Sequence, residues 1–449
     1  MSIANIRNQS QIWSWLDVNQ TYQLLSGQVQ SGKTREIINY CFWSIHEQKK
    51  SVLVVFQNIT VDIDQFRSRV NTFNEQNVVP VADRLPIRDI RDYDPSTPAV
   101  YLALGNFMQL KKFSEFLDTT AVGFTMCLDE ADLCVKSGNN NSELEKIMEP
   151  LKQRAAHILG VTATNLSLLF HERLIDSMMT LKVSDDYHSY ADLIKVHLPP
   201  NADAARAEAY KTFSERPSGF VLHIEYHKKQ RQIGVARLMA KEYPNILFVV
   251  YNGNGTIVLP HPKRAEILDG FPDAPGSPMR FTNVGIQEVL QRVSDSSITH
   301  LSVISGRMAG RGISFVSTDF KYHITDQLYM PRKQVHDEGM MQSLRILGRY
   351  HTRCDLRLHT WPSVIRRLDR GYATCDTYNN VLAATTERVA DAVQSVQIPN
   401  VIGERRNTKP NFSRPQVNKY LKFEKVSEKY MTFNGIDDIP DEPVDESVE

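Results

Sequence analysis

Short, mainly apolar runs of strand length alternate with stretches of helical periodicity from residue 21 onward. Residues 22–25, 51–56, 99–104, 124–128 and 158–161 read as strands, and 34–47, 59–73, 106–117 and 142–156 as helices. Strands apolar on both faces must be covered on both, so the pattern predicts a parallel sheet between helical layers. Residues 77–98, rich in Pro and Asp, read as loop, and the polar, alanine-rich stretch 185–216 as a linker. A second alternation follows, with strands at 220–224, 246–251, 300–304 and 322–328 and helices at 228–241, 285–293 and 339–347. Residues 252–280 hold many Gly and Pro and read as an insertion or hairpin. The expected organisation is a lead-in over 1–20 carrying Trp13 and Trp15, a first α/β lobe over 21–200, a second over 201–390, and a C-terminal extension over 391–449.

Length agrees with that division, because 449 residues can bury two domain-sized cores. With 41% hydrophobic and 23% charged residues the composition is that of an ordinary soluble protein. No apolar run approaches the roughly 20 residues that span a bilayer, and the first residues are too polar for a secretory signal. A soluble intracellular chain with no membrane partner is expected. Five scattered cysteines without a CxxC pair argue against a disulfide framework and a zinc site. Basic and acidic residues balance at 52 each, so no net charge announces a polyanion partner, although a local basic groove would suffice to grip one. Residues 402–430 are rich in Lys and Arg and read equally as a nucleic-acid contact or an exposed helix, whereas 435–449 contain seven acids and no base, the pattern of a solvated tail.

The candidate chemistry lies at the ends of the expected strands, where ligands bind in open α/β sheets. Gly27-Gln28-Val29-Gln30-Ser31-Gly32-Lys33-Thr34 stands between a strand and a helix. Glycines let successive backbone N–H groups turn toward phosphates, Lys33 would neutralise them, and Thr34 would place its hydroxyl on Mg2+. Leu128-Asp129-Glu130-Ala131-Asp132 ends another strand, where Asp129 suits the Mg2+ shell and Glu130 suits orienting the attacking water. Thr162-Ala163-Thr164 offers two hydroxyls to the Glu130 and Asp132 region. The loop 305–315, with three glycines and two arginines including Gly310 and Arg311, faces nucleotide or backbone phosphate in this scheme. Gln342, Arg345, Gly348 and Arg349 fall on the helix expected at 339–347 and just past it, and arginines four apart would share one face. Either could be the finger that stabilises a transferring phosphate.

These motifs, in this order, resemble a superfamily-2 helicase of the DEAD-like class over roughly residues 20–385. GQVQSGKT is similar to motif I, LDEAD to motif II, VTAT to motif III, AGRGIS to motif V and QSLRILGR to motif VI. The resemblance implies two tandem RecA-like parallel-sheet lobes with an ATP cleft between them. It implies ATP and Mg2+ as ligands, with Gly27, Ser31, Gly32, Lys33, Thr34, Gly310 and Arg311 on the nucleotide and Thr34 and Asp129 on the metal. It further implies Asp129, Glu130, Gln342, Arg345 and Arg349 as the hydrolytic set, and DNA or RNA as the track. GQVQSGKT, Ala103-Leu104-Gly105-Asn106 and the QxxRxxGR spacing are similar, within that class, to the Z-one domain, an ATPase module of some defence or endonuclease-associated proteins. A helicase or translocase is the first expectation. An ATPase switch that remodels a protein or protein–nucleic-acid complex without unwinding is the second.

Overall fold

In the computed structural model the strands expected from the apolar runs are present almost residue for residue. Described are residues 3–395 apart from 57–59, 93, 95, 119–122, 135–142, 166–167, 170–171, 173, 218–220, 227, 253–254, 269–277, 282–284, 307–314, 320, 332–334, 336, 351–353, 384 and 386–387. The basic stretch 402–430 and the acidic tail 435–449 therefore lie outside the described residues.

The first sheet contains β1 (Tyr22–Ser26), β2 (Ser51–Phe56), β3 (Ile87–Arg88), β4 (Val100–Leu104), β5 (Phe124–Asp129), β6 (His157–Thr162) and β7 (Ser177–Thr180). Its spatial order is β3-β4-β2-β5-β6-β1-β7, and every pairing is parallel. Along β2, Leu53 and Val55 enter one apolar cluster while Val52, Val54 and Phe56 enter another. The two-residue period thus feeds both faces. One face is covered by the helices Phe107–Asp118 and Glu143–Arg154, the other by Lys33–Phe42 and Thr60–Gln76. The lead-in adds Ile6, Ile12 and Trp13 to the second of these faces.

The centre of this sheet is tight. A Cβ on Gly160 of β6 would lie 2.6 Å from the Tyr22 hydroxyl oxygen and 2.7 Å from Tyr22 Cε2. Tyr22 is fully buried. Gly160→Ala should therefore lower stability by about 1–3 kcal/mol through overpacking, read as a drop in melting temperature. An unchanged melting temperature would mean that the ring has room to move.

Two strand-length pieces connect the lobes, β8 (Tyr187–His188) and β9 (Ile194–His197). The second sheet continues with β10 (Val221–Tyr226), β11 (Leu247–Asn252), β12 (Gly255–Val258), β13 (Met279–Phe281), β14 (His300–Ser305) and β15 (Ile324–Leu328). After β16 (Gly348–Arg349), β17 (Arg357–Thr360) completes it. The order is β13-β12-β11-β14-β10-β15-β17-β9, antiparallel only where β12 joins β11 and β13. A separate two-stranded ladder pairs β16 with β8.

Three expectations are corrected. The loop expected over 77–98 supplies the edge strand β3. The linker expected over 185–216 supplies β8, β9 and the helix Ala202–Ser214, whose N-cap Asn201 accepts from the backbone N–H groups of Asp203 and Ala204. Alanine is the strongest helix former, so that composition was a helix signal. The hairpin that was one reading of 252–280 is present: β12 turns back antiparallel on β11, and β13 adds a further antiparallel strand. Finally, the helix expected over 339–347 is Asp337–Gln342 and stops there. Gln327 of β15 donates to Ser343 O at 2.7 Å and accepts from Ile346 N at 3.1 Å. Those are backbone groups a longer helix would have needed, and a buried side chain has taken them.

After β17 the helix Pro362–Ala383 leaves the second lobe and returns to the first. Leu382, Val389, Ala392 and Val393 join the first lobe's core. Asn165 Nδ2 donates to Asn379 Oδ1 at 2.6 Å, and Arg388 Nε to Asp176 Oδ1 at 2.8 Å. The other carboxylate oxygen of Asp176 accepts from the N–H groups of Thr21 and Tyr22 at the start of β1. No helix among the described residues is long and apolar enough to cross a membrane.

Candidate nucleotide site between the lobes

The loop 27–32 is anchored at its first residue, where Gly27 N donates to Thr162 O of β6 at 3.0 Å. A Cβ at Gly27 would meet Ser31 Oγ at 2.9 Å and Leu181 Cβ at 3.1 Å, so only glycine fits that bend. Gly32 has φ +94°, a left-handed conformation that side chains avoid. The helix Lys33–Phe42 then starts with its N-terminus at the loop. Lys33 Nζ folds back to donate to Gly27 O at 3.1 Å and Gln28 O at 2.8 Å. Burial lowers the Lys33 pKa, opposed by the nearby Glu130 and Asp129 charges. Ser31 Oγ and Gln28 Oε1 are buried without a hydrogen-bond partner among the described residues.

On the acidic side, β5 delivers Asp129 and the chain turns sharply at Glu130, whose φ is +53°. A non-glycine residue held there stores about 1–3 kcal/mol, a cost that clusters at functional sites. Glu130 N donates to Asp129 Oδ1 at 3.1 Å. Burial first, and the Glu130 charge second, push the Asp129 carboxyl up to about 7 against the pull of Lys33 and Arg69. Thr162 Oγ1 donates to Asp132 Oδ1 at 2.9 Å. Arg69 Nη1 donates to Thr34 Oγ1 at 2.7 Å.

Gln342 crosses from the second lobe. Its Nε2 donates to Thr164 Oγ1 and reaches Asp132 Oδ2 at 3.4 Å and Glu130 Oε2 at 3.5 Å. Its own Oε1 is buried without a partner among the described residues. Val29 of the loop packs into the second lobe's apolar cluster. Tyr187 Oη donates to Val29 O at 2.6 Å, and Gln30 Nε2 to Arg345 O at 3.2 Å. Arg345 is 5% exposed, and its charge acts on Lys33. Arg349 does not share its surroundings: it lies on β16, its side chain is 58% exposed, and Nε donates to Asp186 Oδ2 at 2.6 Å. The expectation of two arginines on one helical face is therefore corrected, because the helix has ended before either. Gly310 and Arg311 lie outside the described residues.

The donor set fits a magnesium-bound nucleoside triphosphate. A glycine cradle, a buried lysine, two orphaned polar atoms and a carboxylate whose ionisation burial opposes are all arranged around one loop. Sequence reasoning missed Arg69 and Tyr187, which lie in no motif and are brought in only by folding, and gave no role to Gln30, a variable position inside the loop motif.

Two α/β lobes with the loop 27–32 at the carboxyl end of the first sheet and the Gln342–Arg345 turn of the second against it define a two-lobed RecA-like architecture. Among solved structures, the chain is similar to Saccharomyces cerevisiae Dbp5 bound to RNA and ADP BeF3, with a TM-score of 0.51 and 10% identity over 84% of this chain and 92% of that one. A single-substitution variant of the same yeast protein with the same ligands gives a TM-score of 0.50 and 11% identity over 84% and 93%. No family model and no curated protein matches the sequence.

Proposed function

We propose that the chain hydrolyses ATP with Mg2+ between its lobes and couples hydrolysis to movement on DNA or RNA. The observation that carries this is the Gln342 bridge, which ties the second lobe to Glu130, Asp132 and Thr164 of the first. A hydrolytic site built from both lobes senses their separation, and a kinase-type phosphate loop has no use for such a bridge. The yeast neighbours carry RNA and a nucleotide analogue in the same fold, which supports both ligands here.

In this mechanism the loop N–H groups and Lys33 hold the phosphates, and Thr34 and Asp129 hold the metal, which supplies charge neutralisation at the transferring phosphate. Glu130 orients the attacking water and accepts its proton. Arg345 is the finger, since it is buried beside the loop, while Arg349 braces the Tyr187 segment through Asp186. The closer affinity to the Z-one domain belongs to the same proposal and rests on the motif spacing alone.

The test is ATP hydrolysis by the purified chain with and without single-stranded DNA, duplex DNA and RNA. Stimulation by one polymer that weakens with salt identifies a motor and its track. Hydrolysis indifferent to all three would replace the motor with an ATPase switch acting on protein complexes.

A further inference from the structure

The helix Thr60–Gln76 carries Arg69 to the nucleotide loop. Arg69 donates to Thr34 Oγ1 at 2.7 Å, and its charge also acts on Asp129. These are the two residues whose oxygens the metal would need. A threonine hydroxyl has two acceptor lone pairs, and the guanidinium engages one of them. Mg2+ binds oxygen at about 2.0–2.1 Å, so metal and guanidinium on one hydroxyl would be neighbouring like charges. Meanwhile Asp129, Glu130 and Asp132 stand against Lys33, Arg345 and Arg69, and Lys33 is folded onto its own loop.

We propose that Arg69 stands in for the divalent cation, occupying the Thr34–Asp129 corner in the metal-free protein and leaving Thr34 when Mg2+ arrives. This rests on the nucleotide reading above and adds the residue that sets how much Mg2+ the site requires. Arg69 acts through Thr34 and Asp129, so it is a positioning residue. Its removal has opposite effects on two measurable quantities. Mg2+ no longer competes with a guanidinium, and metal-free nucleotide loses a nearby cation.

The experiment is equilibrium binding of a fluorescent ATP analogue to the full chain across a Mg2+ titration and in excess chelator. For Arg69→Gln the half-saturating Mg2+ concentration should fall roughly three- to tenfold, the effect of one partly screened charge. Binding in chelator should weaken. Arg69→Lys keeps the charge without the planar fork and should give an intermediate value; it carries the test if Arg69→Gln fails to fold. A wild type that depends on Mg2+ with Arg69→Gln unchanged overturns this inference alone. So does a raised Mg2+ requirement, which would make Arg69 a partner of the phosphates. A wild type that binds no nucleotide at any Mg2+ concentration overturns the nucleotide reading and this inference with it.

Discussion

Arg345→Ala should lower ATP turnover by about 10³–10⁵-fold, the loss seen when an arginine finger is removed, with nucleotide binding little changed. Arg349→Ala should cost less than about tenfold, since its exposed pair with Asp186 is of the kind that contributes ~0–1 kcal/mol. The contrast follows from position. The Arg345 backbone is held by Gln30 of the loop, and its side chain is enclosed where the lobes meet. A planar guanidinium aimed at a transferring phosphate there acts with little solvent screening. Steady-state hydrolysis and equilibrium nucleotide binding on the two variants measure the difference. Equal losses of turnover would return the finger assignment to both arginines, and a larger loss in Arg349→Ala would reverse it.

Glu130→Gln should retain nucleotide binding and lose about 10²–10⁴-fold in hydrolysis, the usual contribution of a general base. The amide keeps the shape and can still meet Gln342, but it cannot accept the proton of the attacking water. Lys33→Ala should behave differently, losing binding itself, because the loop has then lost the buried cation that answers the phosphates. Binding and single-turnover hydrolysis, measured side by side, separate the two. If Glu130→Gln binds nucleotide as poorly as Lys33→Ala, then Glu130 supports the strained turn and not the chemistry.

Those residues were legible because their chemistry needs fixed spacing along the chain. A phosphate loop must join a strand to a helix, and an acid pair must end a neighbouring strand; both conditions can be checked on apolar runs such as 51–56 and 124–128. What stayed hidden depends on groups far apart in sequence. The helix carrying Gln342 ends because Gln327, on another strand, captures its next backbone groups, and nothing local announces that. Arg69 meets Thr34 across two secondary-structure elements and carries no motif. The edge strand β3 is two residues long and follows Pro86, so composition hides it. The alanine-rich helix Ala202–Ser214 is a different case: its signal was local, in Asn201 and the alanines that follow.

The chain enters the second lobe through β8 and β9 and comes back through the helix Pro362–Ala383, with Asp176 receiving Arg388 next to the strand where the first sheet begins. The second lobe is therefore tied to the first at two places, not one. Beads on a single thread could swivel freely about their link, but two crossings leave fewer relative orientations. Each crossing shortens the free chain between Gln342 and its partners Glu130, Asp132 and Thr164, so less chain entropy opposes their meeting.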